Sequence, residues 1–148
     1  MVVFILGSES DKPFVEKITK HLDSFGVEYV INVASAHKVP EKVMDIINEY
    51  NLKSEPVVYI TVAGRSNGLS GVTAGSTIHP VIACPPFASK EDFIININST
   101  LQMPSDTPVL TVIDPQNAAL CAVKMLALTD ASLKEKVVNH IKSVKAKF

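Results

Sequence analysis

Short β-branched runs alternate with helix-period segments along this whole sequence, and that alternation constrains its fold more than any other feature. Val2 to Leu6 is a continuous apolar run closed by Gly7, the pattern of a strand buried on both faces. Ser10 or Asp11 is then placed to cap a helix, with Pro13 tolerated in its first turn. That helix carries Phe14, Ile18, Leu22 and Phe25 on one stripe and stops at Gly26. Val27 to Val33 reads as a second strand, and Pro40 opens a helix presenting Val43, Ile46, Ile47 and Tyr50. A third strand, Pro56 to Val62, runs into a Gly/Ser/Asn-rich stretch from Gly64 to Gly75, expected to be a loop with a short helix inside it. Pro80 to Ala83 and Pro108 to Ile113 supply two more strands. Lys90 to Leu101 and Gln116 to Leu128 read as helices, and Ser132 as the cap of a last one. Alternation of this kind predicts a parallel sheet with helices on both faces. The expected fold class is α/β: a flavodoxin-like doubly wound three-layer α/β/α sandwich with a five-stranded parallel sheet. No repeat or linker interrupts the pattern, so residues 1–148 are expected to form a single domain.

Composition removes several functional classes. With 47% hydrophobic residues and a net charge of -1, the chain has neither the low hydrophobicity nor the high charge of a disordered segment. Its 14 basic residues against 15 acidic ones create no global field that would draw it to nucleic acid or an anionic membrane. Two cysteines, Cys84 and Cys121, make neither a disulfide scaffold nor a four-ligand zinc site, and no His/Asp/Glu/Cys spacing suggests another metal. The apolar start lacks a basic lead-in, and no run of roughly 20 apolar residues exists. The expectation is a soluble, cytoplasmic protein with no cofactor or metal.

In a doubly wound fold, ligands bind beyond the C-terminal strand ends near the switch in strand order. The loops after the first three strands, Gly7 to Asp11, Ala34 to Lys38 and Ala63 to Ser70, should therefore share one edge of the sheet. Gly7-Ser8-Glu9-Ser10-Asp11 offers N–H groups and two hydroxyls to a phosphate at a helix start, and Asp11 can accept from sugar hydroxyls. Read blandly, it is a capped helix start without a ligand; it is neither a Walker loop nor a GxGxxG fingerprint. Ser35-Ala36-His37-Lys38 sets an imidazole, which can change protonation near neutrality, beside a cation suited to phosphate or carboxylate. The alternative is an incidental surface histidine. Arg65, the only arginine of the chain, sits in Gly64-Arg65-Ser66-Asn67-Gly68 with two kinds of polar neighbour. Its planar fork suits a carboxylate or phosphate, or else clamps a loop or subunit contact.

Taken in order, Gly7-Ser8-x-Ser10-Asp11, Ser35-Ala36-His37-Lys38 and Ala63-Gly64-Arg65-Ser66-Asn67-Gly68-Leu69 resemble the PurE-type enzymes of purine biosynthesis. The similarity continues through Pro80-Val81-Ile82-Ala83-Cys84-Pro85-Pro86, Leu101-Gln102-Met103-Pro104-Ser105 and Asn117-Ala118-Ala119-Leu120, and so spans nearly the whole chain. One branch of that family is a mutase that moves a carboxyl group from nitrogen to carbon within N5-carboxyaminoimidazole ribonucleotide. The other carboxylates 5-aminoimidazole ribonucleotide (AIR) directly with CO2, without ATP or biotin. Lys38, where mutases typically have Arg, and Gly64-Arg65-Ser66-Asn67, where they have Gly-Ala-Ala-His, look like the carboxylase branch. Val39 and Asp106 depart from the family pattern, Asp106 standing where a Gly is usual.

The resemblance implies His37 as general acid/base, Ser8, Ser10 and Lys38 on the phosphate, and Asp11 on the ribose. It implies Ser66 with neighbouring loop N–H groups on CO2, with Arg65 and Asn67 shaping that pocket. Ser35 and Gly64 complete the substrate-binding set. The partners it implies are AIR, CO2 and further copies of the chain, as a homo-oligomer (tetramer or octamer) with the helix from Gln116 and the Lys-rich last helix as candidate surfaces. The non-enzyme rival is a flavodoxin-like domain that binds a phosphorylated metabolite.

Overall fold

A computed structural model describes residues 1–148. Five parallel strands, β1 (Val2–Leu6), β2 (Tyr29–Val33), β3 (Val58–Val62), β4 (Val81–Ala83) and β5 (Leu110–Thr111), stand in the order β2-β1-β3-β4-β5. That is the flavodoxin-like order, with its switch between β1 and β3. Leu6 pairs with Val33 on one side and Val62 on the other, so all three strands end level. β1 and β3 are buried along their full length, which explains why β1 reads as an unbroken apolar run and β3 as one interrupted only by Thr61.

Their side chains alternate between two cores. Val2, Phe4, Leu6, Val58, Ile60 and Val62 face α1 (Lys12–Phe25), α5 (Pro115–Leu126) and α6 (Ala131–Lys145). Val3, Ile5 and Tyr59 face α2 (Pro40–Asn51) and α3 (Gly68–Ser76). α4 (Lys90–Leu101) packs on α3 and buries only Ile97 and Thr100, leaving Ile94, Ile95 and Leu101 exposed. No helix is long and apolar enough to cross a membrane.

Local departures from the sequence reading have local causes. Asp11 stands at the N-cap of α1 but makes no side-chain bond to it; the capping bonds lie one turn earlier, where the Ser8 hydroxyl accepts from the Ser10 N–H while the Asp11 carboxylate accepts from the Ser8 N–H. This reciprocal box closes one 3-10 turn, Glu9–Asp11, ahead of α1. Asp130, not Ser132, caps α6 through the Leu133 N–H, because a carboxylate two residues earlier reaches the same donors. Helix α3 fills most of the stretch expected to be loop, since Asn67 caps it and Gly71 and Gly75 allow close packing against Met103 and Thr107. Strand β5 pairs over two residues only, an edge strand with neighbours on one side. The apolar stripe of the helix from Gln116 is buried against α1 and the sheet.

Candidate active site

Gly7 holds the switch point closed. Its N–H donates to the Val62 carbonyl at 2.9 Å, and a Cβ there would lie 3.2 Å from Ala63 Cβ. Beyond this contact the chains leaving β1 and β3 diverge, and the gap between them opens into a cleft of about 680 Å³. Gly7, Ser8, Ser10 and Asp11 line one wall, Ser35, Ala36, His37 and Lys38 another, and Ala63, Gly64, Arg65, Ser66 and Leu69 a third. The three loops singled out from the sequence thus converge, although up to 58 residues of chain separate Gly7 from Arg65.

Each wall has its own geometry. The Ser10 hydroxyl donates to Ser8 Oγ at 2.8 Å, so two hydroxyls sit side by side above the start of α1. Burial pushes the Asp11 carboxyl above its ordinary value, against the opposing pull of its hydrogen bond from Ser8 N–H. His37 and Lys38 lie in a turn after β2, held by the Lys38 and Val39 N–H groups donating to the Ser35 carbonyl. The imidazole crosses to the third wall, where a Cβ on Gly68 would lie 3.1 Å from His37 Nε2. A side chain at the first residue of α3 would push the ring aside by a few tenths of an ångström.

The third wall is the strained one. Ser66 has φ 45°, a left-handed conformation that costs a non-glycine residue about 1 kcal/mol or more. The Gly68 N–H closes a tight turn on the Ser66 carbonyl at 2.6 Å. Arg65 and Ser66 are exposed toward the cleft. Asn67 is placed differently: its side chain is buried, donating to Thr100 Oγ1 and accepting from the Ser70 N–H, and it does not line the cleft. The N–H groups of Asn67, Gly68 and Ser70 are likewise engaged within the chain. The turn therefore offers a ligand the Ser66 hydroxyl, the Arg65 guanidinium and the N–H groups of Gly64, Arg65 and Ser66, which make no bond within the chain.

Three lining residues lie outside those loops. Pro86 and Ala88, from the segment joining β4 to α4, and Asp92, in the first turn of α4, form a fourth side. A Cβ on Gly64 would meet the Pro86 carbonyl at 3.0 Å, so the two segments touch. The strand-end rule that selected three loops applies equally to the fourth, and the Pro85-Pro86 pair was its available signal. Cys84, at the end of β4, is fully buried, and burial raises its thiol to about 12, which keeps it out of nucleophilic chemistry. No cluster of potential metal ligands exists.

A sheet wound both ways from β1, with its polar cleft at the switch point, defines the class: a flavodoxin-like α/β protein. Residues 1–147 match the family model described as AIR carboxylase, and the chain belongs to that family. It is 47% identical over 136 residues to a phosphoribosylaminoimidazole carboxylase of Archaeoglobus fulgidus, covering 92% of this chain and 74% of that protein. It is also 42% identical over 149 residues to an N5-carboxyaminoimidazole ribonucleotide mutase of Methanocaldococcus jannaschii, covering 99% and 92%. The crystal structure of Treponema denticola PurE superposes with a TM-score of 0.92 at 40% identity, covering 99% of this chain and 92% of that one.

Proposed function

We propose that this chain is the ATP-independent carboxylase that joins CO2 to carbon 4 of AIR, working as a cytoplasmic homo-oligomer of single-domain subunits. The observation that carries the reading is the contact of the His37 ring with Gly68, beside Arg65 and Ser66 and across the cleft from Ser8, Ser10 and Asp11. AIR is an electron-rich, enamine-like ring, and its carbon 4 attacks the CO2 carbon without prior activation. The new C–C bond forms as one C=O π pair moves onto oxygen, giving a carboxylate. His37 then takes the proton left on carbon 4, the ring recovers its aromatic sextet, and the imidazolium releases that proton to solvent.

The other residues orient and stabilise. Ser8, Ser10 and Lys38 hold the phosphate, and Asp11 accepts from the ribose hydroxyls. The Ser66 hydroxyl and Arg65 guanidinium face the developing carboxylate, whose charge appears only as the bond forms. Ser35 and Gly64 shape the floor between them. Asn67 acts behind the cleft. CO2 has no charge or permanent dipole to grip, so alignment supplies much of the acceleration. The exposed Ile94, Ile95 and Leu101 on α4 support burial against further copies of the chain, which light scattering measures directly.

The mutase is the second reading, supported by the Methanocaldococcus relative's name. One assay separates the two. AIR supplied with CO2 and no ATP is expected to give the 4-carboxylated nucleotide; turnover of the N-carboxylated nucleotide, with no direct use of CO2, places the chain with the mutases.

A further inference from the structure

The left-handed backbone at Ser66 needs a restraint outside its own turn, and α4 supplies one. The Asn67 N–H donates to Ser99 Oγ at 3.0 Å, and Asn67 Nδ2 donates to Thr100 Oγ1 at 3.0 Å. Asn67 Oδ1 accepts from the Ser70 N–H, which fixes which end of the amide faces Thr100. Ser99 is itself oriented, its hydroxyl donating to the Asn96 carbonyl at 2.8 Å. Asn67 and Thr100 are both almost fully buried. Two consecutive hydroxyls in the last turn of α4 therefore pin the residue between Ser66, which faces the cleft, and Gly68, which carries the His37 ring. Neither hydroxyl lines the cleft.

We infer that Ser99 and Thr100 are positioning residues that act through Asn67, setting the placement of the Ser66 hydroxyl relative to the His37 imidazole. The inference rests on the carboxylase reading above. The hydroxyls on the β1 wall and Lys38 have no bond to this anchor, so loosening it disturbs the reacting end of the site and spares the phosphate end.

Thr100→Val keeps the shape and removes the acceptor, leaving the Asn67 amide N–H without its partner. It is expected to lower kcat for AIR carboxylation about tenfold and to raise KM for CO2, with KM for AIR changed less than about twofold. Thr100→Ser, which restores the hydroxyl, is expected to recover both parameters. Ser99→Ala removes an exposed hydroxyl and is expected to shift them the same way by about threefold. A lower melting temperature with kcat and both KM values unchanged below the melt would overturn the inference, as would failure of Thr100→Ser to recover what Thr100→Val loses. Should Thr100→Val not fold, Ser99→Ala decides alone: unchanged kcat and CO2 KM overturn it. A wild-type chain that only interconverts the N-carboxylated nucleotide sinks the carboxylase reading separately. On that substrate, a tenfold kcat loss in Thr100→Val keeps the positioning role, and an unchanged kcat removes it.

Discussion

Two clefts of similar size open at opposite ends of the same three strands. The one beyond the C-terminal ends holds about 680 Å³ and the one before the N-terminal ends about 620 Å³. The lower cleft is lined by Met1, Glu28, Glu55, Asp130 and Lys136, among others, and the charges of Met1, Asp130 and Lys136 are already used for holding the fold. Lys136 Nζ donates to the Phe25 carbonyl at 2.7 Å, satisfying the end of α1, and the Met1 ammonium donates to the Pro56 carbonyl at 2.8 Å. In the upper cleft Ser8, Ser10 and Asp11 bond to one another, but the Lys38 ammonium, the Arg65 guanidinium and the Ser66 hydroxyl make no bond within the chain, and the backbone is strained at Ser66. Size therefore does not mark the site. Uncommitted polar groups on strained turns do, because strain persists only where surrounding contacts enforce it.

The comparison breaks most visibly at His37. His37→Asn is expected to lower carboxylation by about 10²–10⁴-fold while calorimetry still detects nucleotide binding, since Ser8, Ser10 and Asp11 hold the phosphate and ribose from another wall and Lys38 is left in place. Near-wild-type turnover in that variant removes His37 from the chemistry.

A pair of lysines sharpens the contrast. Lys38→Met in the upper cleft is expected to raise KM for AIR by roughly tenfold or more, as loss of a charge-assisted phosphate contact, with little change in melting temperature. Lys136→Met in the lower cleft is expected to leave the kinetic constants alone and to lower Tm by roughly 2–4 °C, the effect of about 1 kcal/mol in a chain of this length. Equal kinetic damage from both substitutions would erase the functional distinction between the clefts.

The smallest effect concerns pH and Asp11. Its carboxyl is raised above the ordinary 3.8, chiefly by burial, so the native chain holds that proton more tightly than the unfolded chain does. Between 3.8 and the raised value stability falls as pH increases, and the penalty persists at neutral pH. Asp11→Asn keeps an oxygen for the Ser8 N–H and loses the charge. Its Tm at pH 7 is expected to equal or slightly exceed that of the wild type, the difference vanishing below pH 3.8, while KM for AIR rises. A Tm clearly below wild type at pH 7 contradicts this account of the cap.

Both clefts lie at the ends of strands that were plain in the sequence, yet the sequence distinguished them only in part. Val2 to Leu6 and the α2 stripe of Val43, Ile46, Ile47 and Tyr50 stand where the pattern put them, because burial on a face imposes a periodicity that survives translation into letters. Caps were less legible. Ser8 and Asp130 compete with Ser10, Asp11 and Ser132 at nearly the same distance from the same donors, and residue type does not rank them. Helix α3 was obscured by its Gly and Ser content, which lowers helix propensity but admits the close approach of Met103 and Thr107. Asp106 adopts φ 64°, a left-handed conformation that glycine takes at no steric cost.

Residue chemistry and period alone determined the parallel α/β class, the two-faced burial of β1, and the three polar loops gathered at one sheet edge. Only the tertiary structure decided that His37 rests on Gly68, that Asn67 turns away from the cleft toward Thr100, and that Pro86, Ala88 and Asp92 supply a fourth side. Periodicity is a property of neighbours along the chain, and a motif names the residues of a loop without their directions. Which way a side chain turns at a loop is settled by partners 30 or more residues away, such as Ser99 and Thr100 for Asn67, and only the packed chain brings those partners within reach.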